Sequence, residues 1–416
     1  MEERKDRVFK LGKYIKDIAA GPFGSNLKVD CFVSSGFPII DGANLKGFKV
    51  TDNITKYVTL EKARSLHRSI ARRNDVVVTI SGNVGQISYI PIDSQYEEYL
   101  VSQRQFRVTF DTNEVYVPYL VYYFHTHEGQ HKILSFANQV GVPALSQPLK
   151  NFKNIDVCLP NIQTQMRIAS ILESLDNKIE LNNRINHNLE EQAQALYKSW
   201  FVDFEPFKDG KLVDSELGMI PEGWSVVPFL SIAKLCSGGT PKTDIKEFWD
   251  GDIPFFTPKD VKESSFCLIT EKNISELGLN NCNSRLYSTY TTFITARGTV
   301  GKLCMAGIPM AMNQTNYAIC PTGPIDPVVL YLITKQLIIK LKNKANGAVF
   351  DAITTRDFDG ESIIAPPPSV LIKFAQIVRP IYERILKNVK QTLALSQYRD
   401  ALLPHLMTGS FVTNNL

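Results

Sequence analysis

Arg64, Arg68 and Arg72 recur every four residues, with His67 and Arg73 beside them. On a helix that spacing stacks three guanidinium groups along one face, which suits a row of phosphate oxygens as well as it suits a plain solvated surface. Three other clusters would point to catalysis or metal binding, and none of them closes. GTVGKL at residues 298–303 has the wrong spacing for a phosphate-binding loop and no hydroxyl after Lys302. His125, His127 and His131 have no cysteine or carboxylate at a persuasive ligand distance, and surface histidines on a helix explain them more simply. The proline run at residues 365–369 lacks the acid of the N-P-P or D-P-P motif that an adenine methyltransferase carries, and a glycine-rich cofactor loop is also missing. The expectation is a binding protein without catalytic residues or a metal site of its own.

The elements that must hold such residues come in two copies. In the first 160 residues, strand signals lie at 76–80, 86–90 and 106–110, separated by Ser81, Gly82, Asn83 and Gly85. Helix signals lie at 60–73, carrying the arginine stripe, and at 118–136. The landmarks then recur. GPFGS at 21–25 is matched by SGGTPK at 237–242, and GFPII followed by NLK at 44–46 by GDIPFF followed by DVK at 260–262. TISGNVG at 79–85 is matched by TARGTVG at 295–301, and SQRQF at 102–106 by NQTNY at 313–317. NFKNIDVCLP, ending at Pro160, is matched by DFDGESIIAP, ending at Pro366, and LYKSWFV by QYRDALL with Tyr197 opposite Tyr398.

Each copy runs into a long helix. From residue 161 to about 204, Ile168, Leu172, Leu175, Ile179, Leu189 and Leu196 mark an apolar seam whose steps alternate four and three, as in a coiled coil. From about 369 to 407, Phe374, Val378, Ile381, Ile385, Leu395, Tyr398 and Leu402 repeat the alternation. A helix of the first length is on the order of 60 Å long, a spacer rather than a core element. Both seams turn polar midway, at Asn182 and Asn186 and at Asn388 and Thr392, so the polar stretches meet in either a parallel or an antiparallel pair. A bend is expected at Pro380. Residues 203–223, rich in Pro, Gly and acids and without periodicity, read as a linker between the copies.

The chain has 416 residues, 21% charged and 44% hydrophobic, with a net charge of +4 that permits a nucleic-acid partner without demanding one. The charged N-terminus MEERKDRVFK and the lack of a long apolar run argue against export or a membrane span. Seven cysteines without a C-x-x-C pair fit buried thiols in a reducing cytoplasm.

The strings LPNIQTQMRIASILESLDNKIELNNRIN, SWFVDFEPF, ELGMIPEGW, CSGGTPKT and YRDALLPHLMTGS, in this order and over nearly the whole chain, resemble the specificity subunit of type I restriction-modification systems. The resemblance implies two target recognition domains that each read half of a split site on double-stranded DNA. It implies two long helices in an antiparallel coiled coil, with pseudo-twofold symmetry. It further implies two methyltransferase subunits held by the coil and motor-nuclease (restriction) subunits joining them, with S-adenosylmethionine, ATP and Mg bound by those partners and no cofactor bound by this chain.

Reading two separated words on one duplex needs a stiff ruler, because half-sites differ by turns of about 34 Å. It also needs Arg or Lys for guanine and Asn or Gln for adenine on loops that enter the major groove. In the first domain Gln103, Arg104 and Gln105 form such a set, with Ser25, Asn26, Lys28 and Asn83 on glycine-flanked turns; Thr240, Lys242, Arg297, Asn313, Gln314 and Asn316 correspond in the second. From 206 to 365 acidic side chains slightly outnumber basic ones, which weakens the second half's grip on phosphate.

The expected fold is α+β. Residues 1–160 form the first mixed α/β recognition domain and 161–205 the central helix. Residues 206–365 form the linker and second domain, and 366–416 the C-terminal helix paired with the central one. The rival classes are a free-standing DNA-modifying enzyme with degenerate motifs and a coiled-coil adaptor that does not touch DNA.

Overall fold

A computed structural model describes residues 8–138, 142–298, 300–344 and 352–408. Parts of the N-terminal decapeptide, Thr299 of the second glycine turn and the end of the C-terminal string lie outside these residues. The chain divides into two compact units, residues 1–177 with 395–416, and residues 178–394.

In the first unit, Val76, Val77 and Val78 are buried on both faces, which is why their run shows no apolar–polar alternation. They belong to an antiparallel sheet in the order Ile15–Ala20, Gln105–Phe110, Val76–Thr79, Ile87–Tyr89. A second sheet contains the parallel pair Phe37–Ile40 and Glu98–Val101, with Ile39 opposite Leu100. Phe9–Lys10 pairs with Asp156–Val157 next to the start of the long helix.

The second unit repeats this plan. Ala233–Ser237, Asn316–Pro321, Thr292–Thr295 and Leu303–Ala306 adjoin in that order, and Phe266–Cys267 extends the edge. Trp249–Phe256 and Ala311–Met312 make the corresponding parallel pair. Ser225–Pro228 pairs with Ser362–Ala365 before the second long helix. Even the small turns agree. Asp41 and Asn44 close a capping box in the first unit, as Thr257 and Asp260 do in the second.

Two predicted helices are shorter than expected. The helix expected over 60–73 ends at Ser65; a 3-10 turn follows at His67–Ser69 and a strand at Ile70–Arg72. Ile70 and Ala71 are buried against the strand Glu98–Val101, and that burial outweighs the local helical pattern. Arg64, Arg68 and Arg72 therefore lie on three different elements rather than on one helical face. The helix expected over 118–136 is two, Val117–Phe124 and His127–Leu134. Thr126 caps the second by accepting the Gly129 N–H at 3.1 Å.

The long helices are Ile162–Phe201 and Pro368–Thr408, and the second continues past an exposed Pro380. Within the first unit Ile168, Ala169 and Leu172 pack with Leu403 and Leu406 against Tyr119 and Tyr122. Within the second, Ala193, Tyr197 and Phe201 share a core with Phe374, Val378, Tyr382 and Ile385. Asn182 Nδ2 donates to Gln391 Oε1 at 3.0 Å, and Asn388 Nδ2 to Asn186 Oδ1 at 2.8 Å. Ascending numbers on one helix thus meet descending numbers on the other, and the pair is antiparallel. Leu175, Ile179, Leu189, Leu196, Ile381, Leu395 and Leu402 flank the seam half-buried. Tyr398 does not belong to it. Its side chain is 66% exposed, because the step from Leu395 is four residues rather than three and brings Arg399 inward.

The stretch expected to be a linker without regular structure is ordered by aromatic packing. Trp224 meets Phe207 at 5.0 Å and Phe204 at 5.4 Å between ring centroids, and Phe207 meets Trp200 at 5.9 Å. Leu212–Val213 pairs with Ile220–Pro221 between them. Among the described residues no helix is long and apolar enough to cross a membrane.

Candidate nucleic-acid interface

The first unit presents its polar turns on a backbone cradle that only glycine permits. The Gly21 N–H donates to the Gln105 carbonyl at 2.8 Å, the Ile80 N–H to the Arg104 carbonyl at 2.7 Å, and the Gln105 N–H to the Ser102 carbonyl at 3.1 Å. A Cβ on Gly21 would fall 1.9 Å from the Ser102 carbonyl oxygen. Gly82 and Gly85, in the facing hairpin, hold φ of 89° and 90°, left-handed values that favour glycine.

The second unit builds a related cradle at the corresponding place. Gly239 N–H donates to the Met312 carbonyl at 3.2 Å and Ala296 N–H to the Thr315 carbonyl at 2.9 Å. A Cβ on Gly238 would lie 2.3 Å from the Asn313 carbonyl oxygen. Gly298 and Gly301 have φ of 82° and 72°. The two turns share the bond from the facing hairpin, Ile80 to Arg104 and Ala296 to Thr315, and the close glycine approach, while differing in side chains: Gln103–Arg104 in one, Gln314–Thr315 in the other.

A model of the type I restriction modification DNA specificity domain matches residues 30–191 and again 221–395; the second match contains its whole cradle, and the first contains the hairpin and the Ser102–Gln105 turn of its cradle but not Gly21. The chain belongs to this family. It is similar over 415 residues, at 26% identity, to the type I restriction enzyme MjaIX specificity subunit of Methanocaldococcus jannaschii, covering 97% of this chain and 94% of the relative. It is also 26% identical over 387 residues to the HindI specificity subunit of Haemophilus influenzae, covering 78% and 84% respectively. The crystal structure of a type I S subunit from M. genitalium shares its fold, with a TM-score of 0.59 at 14% identity and coverage of 98% and 97%.

In the first specificity domain a cleft of about 560 Å³ brings together Asn83, Gln103, Arg104 and Gln105. Gln103 and Arg104 also border a neighbouring hollow of about 690 Å³ lined by Phe23, Pro148, Leu149 and Lys150. Gln103, Arg104 and Asn83 are exposed, as are Ser25, Asn26 and Lys28 on the adjoining loop. Gln105 is different. It is 2% exposed, and its Oε1 accepts the Ser102 hydroxyl, so it braces the turn from beneath instead of standing on it.

The second specificity domain shows the same division. Thr240, Lys242, Arg297 and Gln314 are exposed, and the Thr240 hydroxyl donates to Gln314 Oε1. Asn316, fully buried, donates from Nδ2 to Asn313 Oδ1 at 2.6 Å, while the Thr315 hydroxyl donates to the same oxygen at 2.7 Å. Asn313 and Asn316 thus hold the turn in shape, and Gln314 is presented. Both buried amides begin strands, where side chains alternate inward and outward, so adjacency in sequence did not mean a shared surface.

The arginine stripe is largely neutralised. Arg64 and Arg72 both pair with Glu98, at 2.7 and 3.0 Å. Arg68 is exposed, and its carbonyl accepts the Nε–H of Arg107 at 2.9 Å. Arg107 also pairs with Asp17 at 2.6 Å. Burial raises the Asp17 carboxyl, but the hydrogen bond and charge of Arg107 outweigh it and the net shift is downward.

Asp41, Lys56 and Gln86 line the same cleft and were not picked out from the sequence. Lys56 pairs with Asp41 at 2.7 Å, and Gln86 takes the Thr79 hydroxyl at 3.1 Å while donating to the Gly42 carbonyl at 3.2 Å. The available signal was the repeat itself. Ile39 N–H donates to the Lys56 carbonyl as Phe255 N–H does to that of Lys272, each at 3.0 Å, so the two lysines hold corresponding places.

His125 is not a surface side chain. It packs on Phe48 with ring centroids 4.4 Å apart, and its Nε2 lies 2.8 Å from the Ile87 carbonyl, which can only accept; that nitrogen carries the proton.

Proposed function

We propose that this chain is the non-catalytic subunit that gives a type I restriction-modification complex its DNA sequence specificity. Residues 1–160 read one half of a bipartite, asymmetric site on double-stranded DNA, and the recognition domain in residues 206–365 reads the other. The paired helices fix the spacer and hold two methyltransferase subunits, to which motor-nuclease subunits bind. S-adenosylmethionine, ATP and Mg serve on those partners, which methylate adenine or restrict DNA in the cytoplasm where the genome lies.

The observation that carries this reading is a pair of related cradles with different side chains on their turns. Backbone hydrogen bonds set where a turn stands on DNA, whereas base edges are told apart by the side chains it presents. Two related cradles bearing Gln103–Arg104 and Gln314–Thr315 suit two unequal half-sites. The polar register of the helix pair suits a fixed spacer.

Exchanging residues 1–160 for those of a specificity subunit with a different known target tests it. The exchanged chain is expressed with its methyltransferase, and methylated adenines are mapped. One half-site changes while the other half-site and the spacer stay the same. Methylation of the original motif by an assembled exchanged complex would sink the assignment of half-site reading to this segment.

A further inference from the structure

Most guanidinium groups described in the first unit have a carboxylate partner; Arg104, like Arg68, has none among the described residues, and of these two it is Arg104 that borders the cleft. Arg64 and Arg72 pair with Glu98, Arg73 with Glu97, Arg107 with Asp17, and Arg399 with Asp176. Arg104 has no ion pair among the described residues, is exposed, and stands on the ridge shared by the two hollows. Its main chain is held on the C-terminal side. The Arg104 carbonyl accepts from Ile80, Gln105 is bound to both Gly21 and Ser102, and Gln105 is locked beneath it. Across from it stands Gly82, whose left-handed φ of 89° favours glycine; even a Cβ there would make only ordinary contact, 3.9 Å from Arg104 Nη1, so the approach is open. A rigid base, an unpaired planar fork and an open approach are what a bidentate contact to a flat acceptor pair requires.

We infer that Arg104 is a specificity-determining residue that reads a guanine, through its O6 and N7 in the major groove, in the half-site taken by residues 1–160. The inference rests on the proposed half-site reading of that domain. Of the four bases only guanine offers two acceptors side by side on its major-groove edge, and the guanidinium fork matches them. A phosphate anchor is the competing role for an exposed arginine. Two features favour the base: Arg104 stands on a turn whose main chain is hydrogen-bonded to its neighbours, and Lys28 and Lys150, exposed on the flanking segments, offer other cations for phosphate. The second domain has Thr315 at this corner, tied to Asn313, and carries its exposed guanidinium on Arg297 in the facing hairpin. The two half-sites consequently differ in where a guanine falls.

The test uses the assembled methyltransferase complex and a duplex bearing the mapped split site, in which each guanine of the first half-site is replaced singly by 7-deazaguanine, which lacks N7. The wild-type complex loses about tenfold in affinity at one position. Arg104→Ala binds the unmodified site about tenfold more weakly and is indifferent to the replacement at that position, yet discriminates normally in the second half-site. A first half-site without guanine, or equal sensitivity of both proteins at every guanine, overturns the inference. So does an Arg104→Ala complex weakened alike on all sequences with a shallower salt dependence, which marks a phosphate anchor. Because the side chain is exposed and intact second-half discrimination reports a folded complex, these outcomes are not confused with misfolding. A chain that supports no split motif at all would overturn the functional reading itself, and this assignment with it.

Discussion

Arg399 Nη1 lies 2.7 Å from Asp176 Oδ1, joining the two long helices within the first unit. The Tyr122 hydroxyl donates to the other oxygen of the same carboxylate, and the guanidinium sits 4.8 Å from the Phe48 ring centroid. Phe48 also packs on Tyr122 and His125, so the ion pair reaches from the helices into the loop that follows the Asp41–Asn44 turn.

The two side chains are 18% and 13% exposed, which leaves little water to screen the pair. Arg399→Met strands the Asp176 carboxylate and costs on the order of 3 kcal/mol, read as a lower urea midpoint. Replacing both, Asp176→Leu with Arg399→Met, recovers part of that loss because neither charge is left alone. An unchanged midpoint in the single variant would mean that the pair is incidental.

Burial, reinforced by the Arg399 charge, depresses His125 below its ordinary value of 6.5. Its contribution is present in full above about pH 6.5. As the pH falls from there towards the depressed folded value, the unfolded chain takes up a proton that the folded chain refuses, and stability drops by at most about 1.4 kcal/mol per pH unit. His125→Phe, whatever it costs in the bond to Ile87, shows a flatter dependence between pH 6.5 and 5. Identical slopes for the two proteins in urea titrations would contradict the assignment.

The hydrogen bond between Asn388 and Asn186 lies in the polar middle of the seam, beside that of Asn182 with Gln391. Asn388→Leu leaves Asn186 without its partner and is expected to cost about 1–3 kcal/mol. Leu at both positions restores or exceeds the original stability while loosening register, seen as a broadened spacer preference in methylated sites. Unaltered spacer choice in the double variant would show that register is fixed elsewhere.

Much of this was legible because the repeat is written in backbone-limited residues. Gly21, Gly82 and Gly85 recur as Gly238, Gly298 and Gly301, since no side chain fits where those main chains approach or turn. The polar centre of the helix pair was equally plain, because Asn182, Asn186 and Asn388 interrupt a regular seam. Four features were not. The arginine stripe looked helical, but burial of Ile70 and Ala71 in a sheet depends on Tyr99 and Leu100, distant in sequence. Gln105 and Asn316 resembled readers until the pleat turned them inward. Arg399 was hidden because a charged residue is not counted into an apolar seam, and Tyr398 took its place. The segment around Trp224 has no period to detect, since stacked rings and not a repeating face hold it.

The most direct measurement is a genome-wide map of methylated adenines in a host expressing this chain with its neighbouring methyltransferase, set against the methyltransferase alone. One split, asymmetric motif with a fixed spacer is expected, methylated on both strands and present only with this chain. A contiguous motif, or no new methylation despite a soluble complex, would contradict the proposed role in specificity.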